Sequence, residues 1–290
     1  MERSNQTKYL FLELVSVAFL ATGGIFVRLC NIGAIGCGFY RIFFSLPFLF
    51  PFAKKQFHLL SKKDVLLLLL SGIFFATDIA LAYVAFDYTS VANVNILCTL
   101  TPLTIVPVTA FFFKEKIPKY YLLGAGIAIT GVIILVSGKT SPTEANYLGD
   151  ALAFASSVFY AAFLLISYKL RDRISGSTVL FITGIGAAIT LFTYSSILEG
   201  FRIPTTFRDL ILVFGLSLFM QIIGQGLFAH CQGKLSVNIS SIVGLLQAGF
   251  AAVYSFVIFK ETLSIVELLG IAVVVCGIYL VKKQYDVKKL

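Results

Sequence analysis

The 290-residue chain has no tryptophan, two methionines, two histidines and seven prolines, and only 13% of its residues are charged. Soluble chains carry about 25% charged residues, and this one is 58% hydrophobic with a mean hydropathy of +0.94, which excludes a water-soluble domain. His58 and His230 stand far apart, and no His-Glu-x-x-His run occurs. The five cysteines (Cys30, Cys37, Cys98, Cys231 and Cys276) lie mostly inside apolar stretches without metal-ligand spacing. No metal site and no cofactor is therefore predicted. Five is also an odd number, which excludes a disulfide framework; Cys30 and Cys37 flank the first hairpin and form a candidate bridge if that face is oxidising. A Gly-x-x-x-x-Gly-Lys-[Ser/Thr] loop is missing, so ATP is not the direct energy source. The net charge of +9 is spread over short segments between apolar runs, which reads as membrane topology rather than nucleic-acid binding.

What the chain has is length in apolar runs, at about 9–27, 32–52, 65–85, 89–113, 119–137, 148–168, 177–198, 209–231, 236–259 and 264–281. Each is near the roughly 20 residues that cross a bilayer as a helix, so the predicted fold is an all-α integral membrane protein with ten transmembrane helices. The first run resembles a signal peptide at its ends, but Glu13 inside it and nine spans behind it favour a retained helix. With no Trp, the interfacial aromatic belt is expected from Tyr40, Tyr83, Tyr88, Tyr120, Tyr121 and Tyr147. Seventeen Lys and Arg fall on the side of the termini against five on the other, with Arg41 inside a span. This predicts a multi-pass protein of the cytoplasmic (inner) membrane with both termini cytoplasmic.

The chain also repeats itself. At a constant offset of 146 positions, Ser90-Val91 meets Ser236-Val237, Phe113-Lys114-Glu115 meets Phe259-Lys260-Glu261, and Leu122-Leu123-Gly124 meets Leu268-Leu269-Gly270. Eleven of 46 positions agree, and the polar and glycine positions agree with the apolar ones, so shared hydrophobicity alone does not explain the match. The predicted halves are 1–140 and 141–290. Five spans per half is odd, so the second half enters the membrane inverted. Inverted repeats are a recurring plan of secondary transporters, with substrate held near the midplane between halves that exchange shapes.

Phe39-Tyr40-Arg41, Thr101-Pro102, Phe111-Phe112-Phe113-Lys114-Glu115, Gly124…Gly131 and Phe259-Lys260-Glu261 together resemble the drug/metabolite transporter superfamily, in its ten-helix EamA-type branch. The resemblance covers nearly the whole chain. It implies a carrier of amino acids, nucleotide-related metabolites, amines or other small solutes, and no enzyme. Two departures stand out: no Trp near Leu20–Thr22, and Ala248 where Pro102 has its partner.

Charge in hydrocarbon costs about 2.5–3.5 kcal/mol at a helix centre, so buried charges are candidates for function. Arg41 and Asp78 lie about 13 Å and 10 Å from the same membrane face, at 1.5 Å per residue. They read either as a substrate site, with Arg41 binding a carboxylate and Asp78 an amine or proton, or as a structural ion pair. Glu13 reads as a proton-coupling carboxyl or as a side chain snorkelling to the interface. His230 is a gate or proton candidate. Glu115 and Glu261 read as caps, and Glu267 as a surface residue at the start of the last run.

Asn93, Asn95, Thr99 and Thr101 in the fourth run, Asn238, Ser240, Ser241 and Gln247 in the ninth, and Gln221 and Gln225 in the eighth can line a polar cavity or bind helices together. Pro102 and Pro107 are expected to kink the fourth helix, with no counterpart in the ninth. The glycines of the fifth and tenth helices predict close packing, within the chain or in a homodimer.

The expected function is a secondary transporter moving a small polar metabolite by alternating access. An amino acid or derivative leaving the cell is the first candidate. An importer or exchanger of a host-derived nucleotide-related compound or S-adenosylmethionine is the alternative. Expected partners are the substrate, the lipid bilayer and a coupling proton, with the protein a monomer or homodimer. An intramembrane enzyme lacks a paired catalytic constellation, and a channel would need a pore ring from several subunits.

Overall fold

The computed structural model describes residues 2–85, 88, 94, 97–98, 100–112, 114, 117, 119–137, 147–170, 173–232, 234–235, 237–260 and 264–287. No strand occurs among the described residues. The helices follow the apolar runs: α1 (Glu2–Ala21 and Gly23–Leu29), α2 (Ala34–Phe43 and Leu46–Lys54), α3 (Lys62–Ala85), α4 (Thr101–Phe112) and α5 (Lys119–Ser137). The second half supplies α6 (Tyr147–Leu170), α7 (Gly176–Leu198), α8 (Phe207–Gly215, Leu216–Gln225 and Gly226–Gln232), α9 (Val237–Gly244 and Leu246–Phe259) and α10 (Ile265–Val287).

Seven of these spans are long and apolar enough to cross a bilayer, and three shorter apolar helices (Thr101–Phe111, Lys119–Ile134 and Ile265–Val281) occupy the remaining predicted positions. Large apolar side chains point outward along the bundle, Leu66 70% and Ile265 76% exposed, as a lipid-facing surface requires. This is an integral membrane protein.

The packing has the two-fold character that the repeat predicts. α3 packs on α6, and α8 on α1; α3 packs on α7, and α8 on α2; α4 packs on α6, and α9 on α1. The pairs α2·α7, α4·α9 and α5·α10 cross between the halves. Exchanging α1–α5 for α6–α10 maps these contacts onto one another.

Local structure repeats as well. Lys114 (φ 52°) and Lys260 (φ 55°) end α4 and α9 in the left-handed conformation, unusual for any residue with a Cβ. α3 and α8 share a Ser/Thr-x-x-Asp cap, in which the Asp64 N–H donates to Ser61 Oγ and the Asp209 N–H to Thr206 Oγ1, both at 3.1 Å.

α4 and α9 match in their breaks too. A turn at Leu100 precedes α4, and a turn at Leu245 interrupts α9. Pro102 falls in the first turn of α4, where its missing N–H costs nothing, and the helix continues through Pro107. α9 is thus interrupted without a proline, whereas α4 carries Pro107 inside the helix.

The glycines join the halves inside the chain. A Cβ on Gly277 would meet Ala128 N at 2.6 Å and Gly124 O at 2.7 Å, so α5 and α10 touch backbone to backbone. Gly126 has nothing within 4 Å. Gly277→Val is therefore expected to destabilise the protein by about 1–3 kcal/mol, read as a lower midpoint of thermal unfolding in detergent. Gly126→Ala should leave that midpoint unchanged.

Candidate functional site

The polar side chains of five helices meet in the centre of the bundle. Arg41, on α2, is 4% exposed. Its Nε donates to Gln221 Oε1 of α8 at 2.8 Å, and its guanidinium lies 5.4 Å from the centre of the Phe75 ring on α3. Among the described residues, Nε is the one of its five N–H groups that donates to a protein acceptor. Tyr83, Tyr160 and Asp78 are within electrostatic reach of it. Asp78, one face of α3, accepts a 2.6 Å hydrogen bond from Ser156 of α6, and Cys98 Sγ stands 3.5 Å from the same hydroxyl.

Arg41 and Asp78 share this interior without touching. Among the described residues the ion pair within 4.0 Å is Arg173 with Asp64, at the end of α3. The direct Arg41–Asp78 pair, one of the two readings of the sequence, is not formed in this structure.

Gln221 and Gln225 reach the centre from a ten-residue π-helical stretch, Leu216–Gln225. π turns widen the helix and expose carbonyls, and they concentrate at functional sites. Ser16 of α1 donates to the Gly224 carbonyl in this stretch at 2.9 Å. Both glutamines are buried, and Gln225 lies beside the Tyr160 hydroxyl.

Glu13 does not snorkel. It is fully buried on α1, and neither carboxylate oxygen has a hydrogen-bond partner. The Ser240 hydroxyl lies beside it, also without a hydrogen bond, and Tyr160 and Cys231 are within electrostatic reach. An unpaired carboxylate costs several kcal/mol in such surroundings, whereas the acid form carries no charge. Tyr160 is within electrostatic reach of both Glu13 and the Arg41–Asp78 region.

The other candidates divide. Thr101 and Ser241 are buried, but their hydroxyls donate to backbone carbonyls three residues back, Cys98 O at 3.2 Å and Asn238 O at 2.8 Å. Asn238 accepts from Thr109 of α4 and from Tyr121 of α5, so it binds helices together. Gln247 is half-buried at the start of the second segment of α9. His230 is exposed at the end of α8, with its ring centroid 6.0 Å from that of Tyr9. It lines a pocket of about 250 Å³ on the Lys/Arg-rich face with Gln56, Ser175 and Lys234. Asn93, Asn95, Thr99, Glu115 and Glu261 lie outside the described residues.

Sequence reasoning missed three members of the centre. Tyr83 was assigned to the interfacial belt, and Ser156 and Tyr160 were not singled out. Tyr40 and Tyr121 also leave the belt: both are buried, their hydroxyls donating to Arg202 O and Asn238 O. Tyr88 and Tyr147 are exposed, as a belt requires. Glu267, taken as a surface residue, is buried, and its carboxylate accepts from the Ser264 N–H at 2.7 Å. Ser156 and Tyr160 are four apart on α6, a spacing that puts both on one face and that was legible in the sequence.

The EamA-like transporter family matches residues 7–137 and again 147–282. The uncharacterized transporter YetK of Bacillus subtilis is 29% identical over 244 residues, 80% of this chain and 73% of that protein. A probable amino-acid metabolite efflux pump of Salmonella typhimurium is 22% identical over 180 residues, 59% of this chain and 60% of its own. A solved crystal structure superposes with a TM-score of 0.78 at 16% identity, covering 96% of each chain, which establishes a shared fold. Two family matches end to end, 7–137 and 147–282, on a bundle whose main contacts between the halves exchange in pairs, lead to one conclusion: the chain belongs to the EamA-like transporter family.

Proposed function

We propose that the protein exports an amino acid or a close derivative across the cytoplasmic membrane by alternating access, with Arg41 and Asp78 as the two poles of the substrate site. The observation that carries this reading is the buried Arg41 guanidinium with a single N–H engaged. Its free edge suits a carboxylate held through two parallel N–H bonds. Asp78, held by Ser156 at a distance from Arg41 rather than paired with it, suits an ammonium. Phe75, Tyr83 and Tyr160 supply apolar and aromatic walls between the poles, and Gln221 fixes the guanidinium plane. Gln225, beside Tyr160, extends the polar lining, and Gln247, Thr101 and Ser241 belong to the α4–α9 side of the pathway. The amino-acid metabolite relative supports this substrate class.

Glu13 is the proton carrier in this reading, and His230 borders the pocket at the basic face. The basic face is cytoplasmic, as are both termini, and the halves divide near residue 140. Gly124 and Gly131 of α5 and Gly277 of α10 are occupied within the chain, so a monomer suffices for transport in this reading.

Arg41→Ala is expected to lower kcat/KM for counterflow of amino acids in proteoliposomes by roughly 30- to 4000-fold, the about 2–5 kcal/mol of a truncated buried charge contact. Because Arg41 and Asp78 are not directly paired, Arg41→Ala with Asp78→Asn should recover nothing. Recovery of transport by the double variant would show a structural pair instead.

Glu13→Gln separates coupling from binding. One proton moving down one pH unit supplies about 1.4 kcal/mol, a tenfold solute gradient. The variant should lose this pH-driven accumulation while keeping solute exchange at equal pH. Accumulation that persists in Glu13→Gln would remove Glu13 from coupling.

A further inference from the structure

α2 and α7 run antiparallel, and each ends against the start of the other. At one end Glu199, the residue after α7, accepts the backbone N–H groups of Ile35 and Gly36 at the start of α2, both at 3.0 Å. At the other end Gln56, just past α2, accepts the Ser175 N–H at 2.7 Å and the Thr178 hydroxyl at 3.2 Å, at the start of α7. The two caps exchange places when the halves are exchanged. They lie about 30 Å apart, since the 21 residues of α2 rise 1.5 Å each.

They are unequal in strength. Glu199 brings a full charge to a helix N-terminus and takes two backbone donors, whereas Gln56 brings a neutral amide to one backbone donor and one hydroxyl. Gly33 makes room for the stronger cap: its φ is +87°, and a Cβ there would meet Glu199 Oε2 at 2.6 Å. Gln56 and Ser175, by contrast, line the pocket of about 250 Å³ on the basic face, so the weaker cap borders open space.

We propose that Glu199 and Gln56 are the paired gate residues of the transport cycle, positioning residues that act through the ends of α2 and α7 rather than through substrate. Only one cap opens at a time, and their inequality sets which face opens more readily. With the charged cap closed, the resting protein admits solute from the Lys/Arg-rich face, past Gln56 and Ser175. This inference rests on the alternating-access reading but on neither Arg41 nor Asp78, and its test requires no substrate.

The test is backbone amide hydrogen exchange of the full protein in lipid nanodiscs, followed at residues 34–37 and 175–178. Glu199→Gln keeps the shape and removes the charge. It is expected to speed exchange at 34–37 about fivefold, the size of a helix-end charge interaction, and to slow exchange at 175–178, because opening one face closes the other. Gln56→Ala should do the reverse. The opposite response at the far end is what a purely local cap cannot produce. Changes confined to the mutated end, or faster exchange at both ends, would overturn the proposal. Should Glu199→Gln fail to fold, Gln56→Ala decides by the same criterion. Loss of substrate binding by Arg41→Ala would leave these exchange patterns intact, so failure of the gates and failure of the substrate site are told apart.

Discussion

A guanidinium kept from water in the middle of an apolar bundle costs several kcal/mol unless its surroundings answer its charge. Arg41 is in that position, and much of the interior is arranged around it: Gln221 on the Nε side, the Phe75 face beneath it, and Tyr83, Tyr160 and Asp78 at electrostatic range. These groups come from α2, α3, α6 and α8. All belong to the part of each half that crosses against the other, so the site is built where the pseudo-symmetry places the interface. The π-helical stretch of α8 serves the same end by turning Gln221 and Gln225 inward from one short segment. What remains unanswered in that arrangement is the free edge of the guanidinium, the edge to which the proposed function assigns a substrate carboxylate.

The helices around this centre are held by three kinds of contact. α5 and α10 meet backbone to backbone at Gly124, Gly131 and Gly277, and form a rigid seam between the halves. α4 and α9, which carry the left-handed lysines at their ends and a break near Leu100 and Leu245, are the jointed elements. α2 and α7 are fastened to each other at both ends by caps of different strength. A seam, two jointed helices and two end fastenings are the parts on which the proposed alternating-access cycle would act.

Much of this was written in the sequence. The apolar runs marked the helix positions, the fourth over its described part Thr101–Phe112, and the 146-position offset reappears as a positive φ at both Lys114 and Lys260. Arg41, Asp78, Gln221 and Gln225 stood out because charge and amide groups are rare in a span. Tyrosine carries no such signal, because one residue type serves both the belt and the interior, and composition cannot separate Tyr83 from Tyr88. Ser156 was hidden for a related reason, as helix interiors in membranes contain many serines that bond only to their own backbone. The caps were hidden differently: Glu199 and Gln56 act on helices 164 and 119 positions away, and no local pattern encodes such a partner. Glu13 was visible, but whether a carboxyl one turn into a span reaches water depends on what covers it. Here Ser240 of α9 and the end of α8 do so.

The most direct measurement is competition in counterflow, with purified wild-type protein in liposomes preloaded with a panel of amino acids. For an amino acid that exchanges, the competitors are its decarboxylated amine and its deaminated acid at equal concentration. Arg41 and Asp78 as two poles predict saturable exchange in which the intact zwitterion competes and each half-molecule, lacking one pole, competes at least tenfold more weakly. Equal competition by the amine, or flux that rises linearly with concentration for every solute tested, would contradict the account.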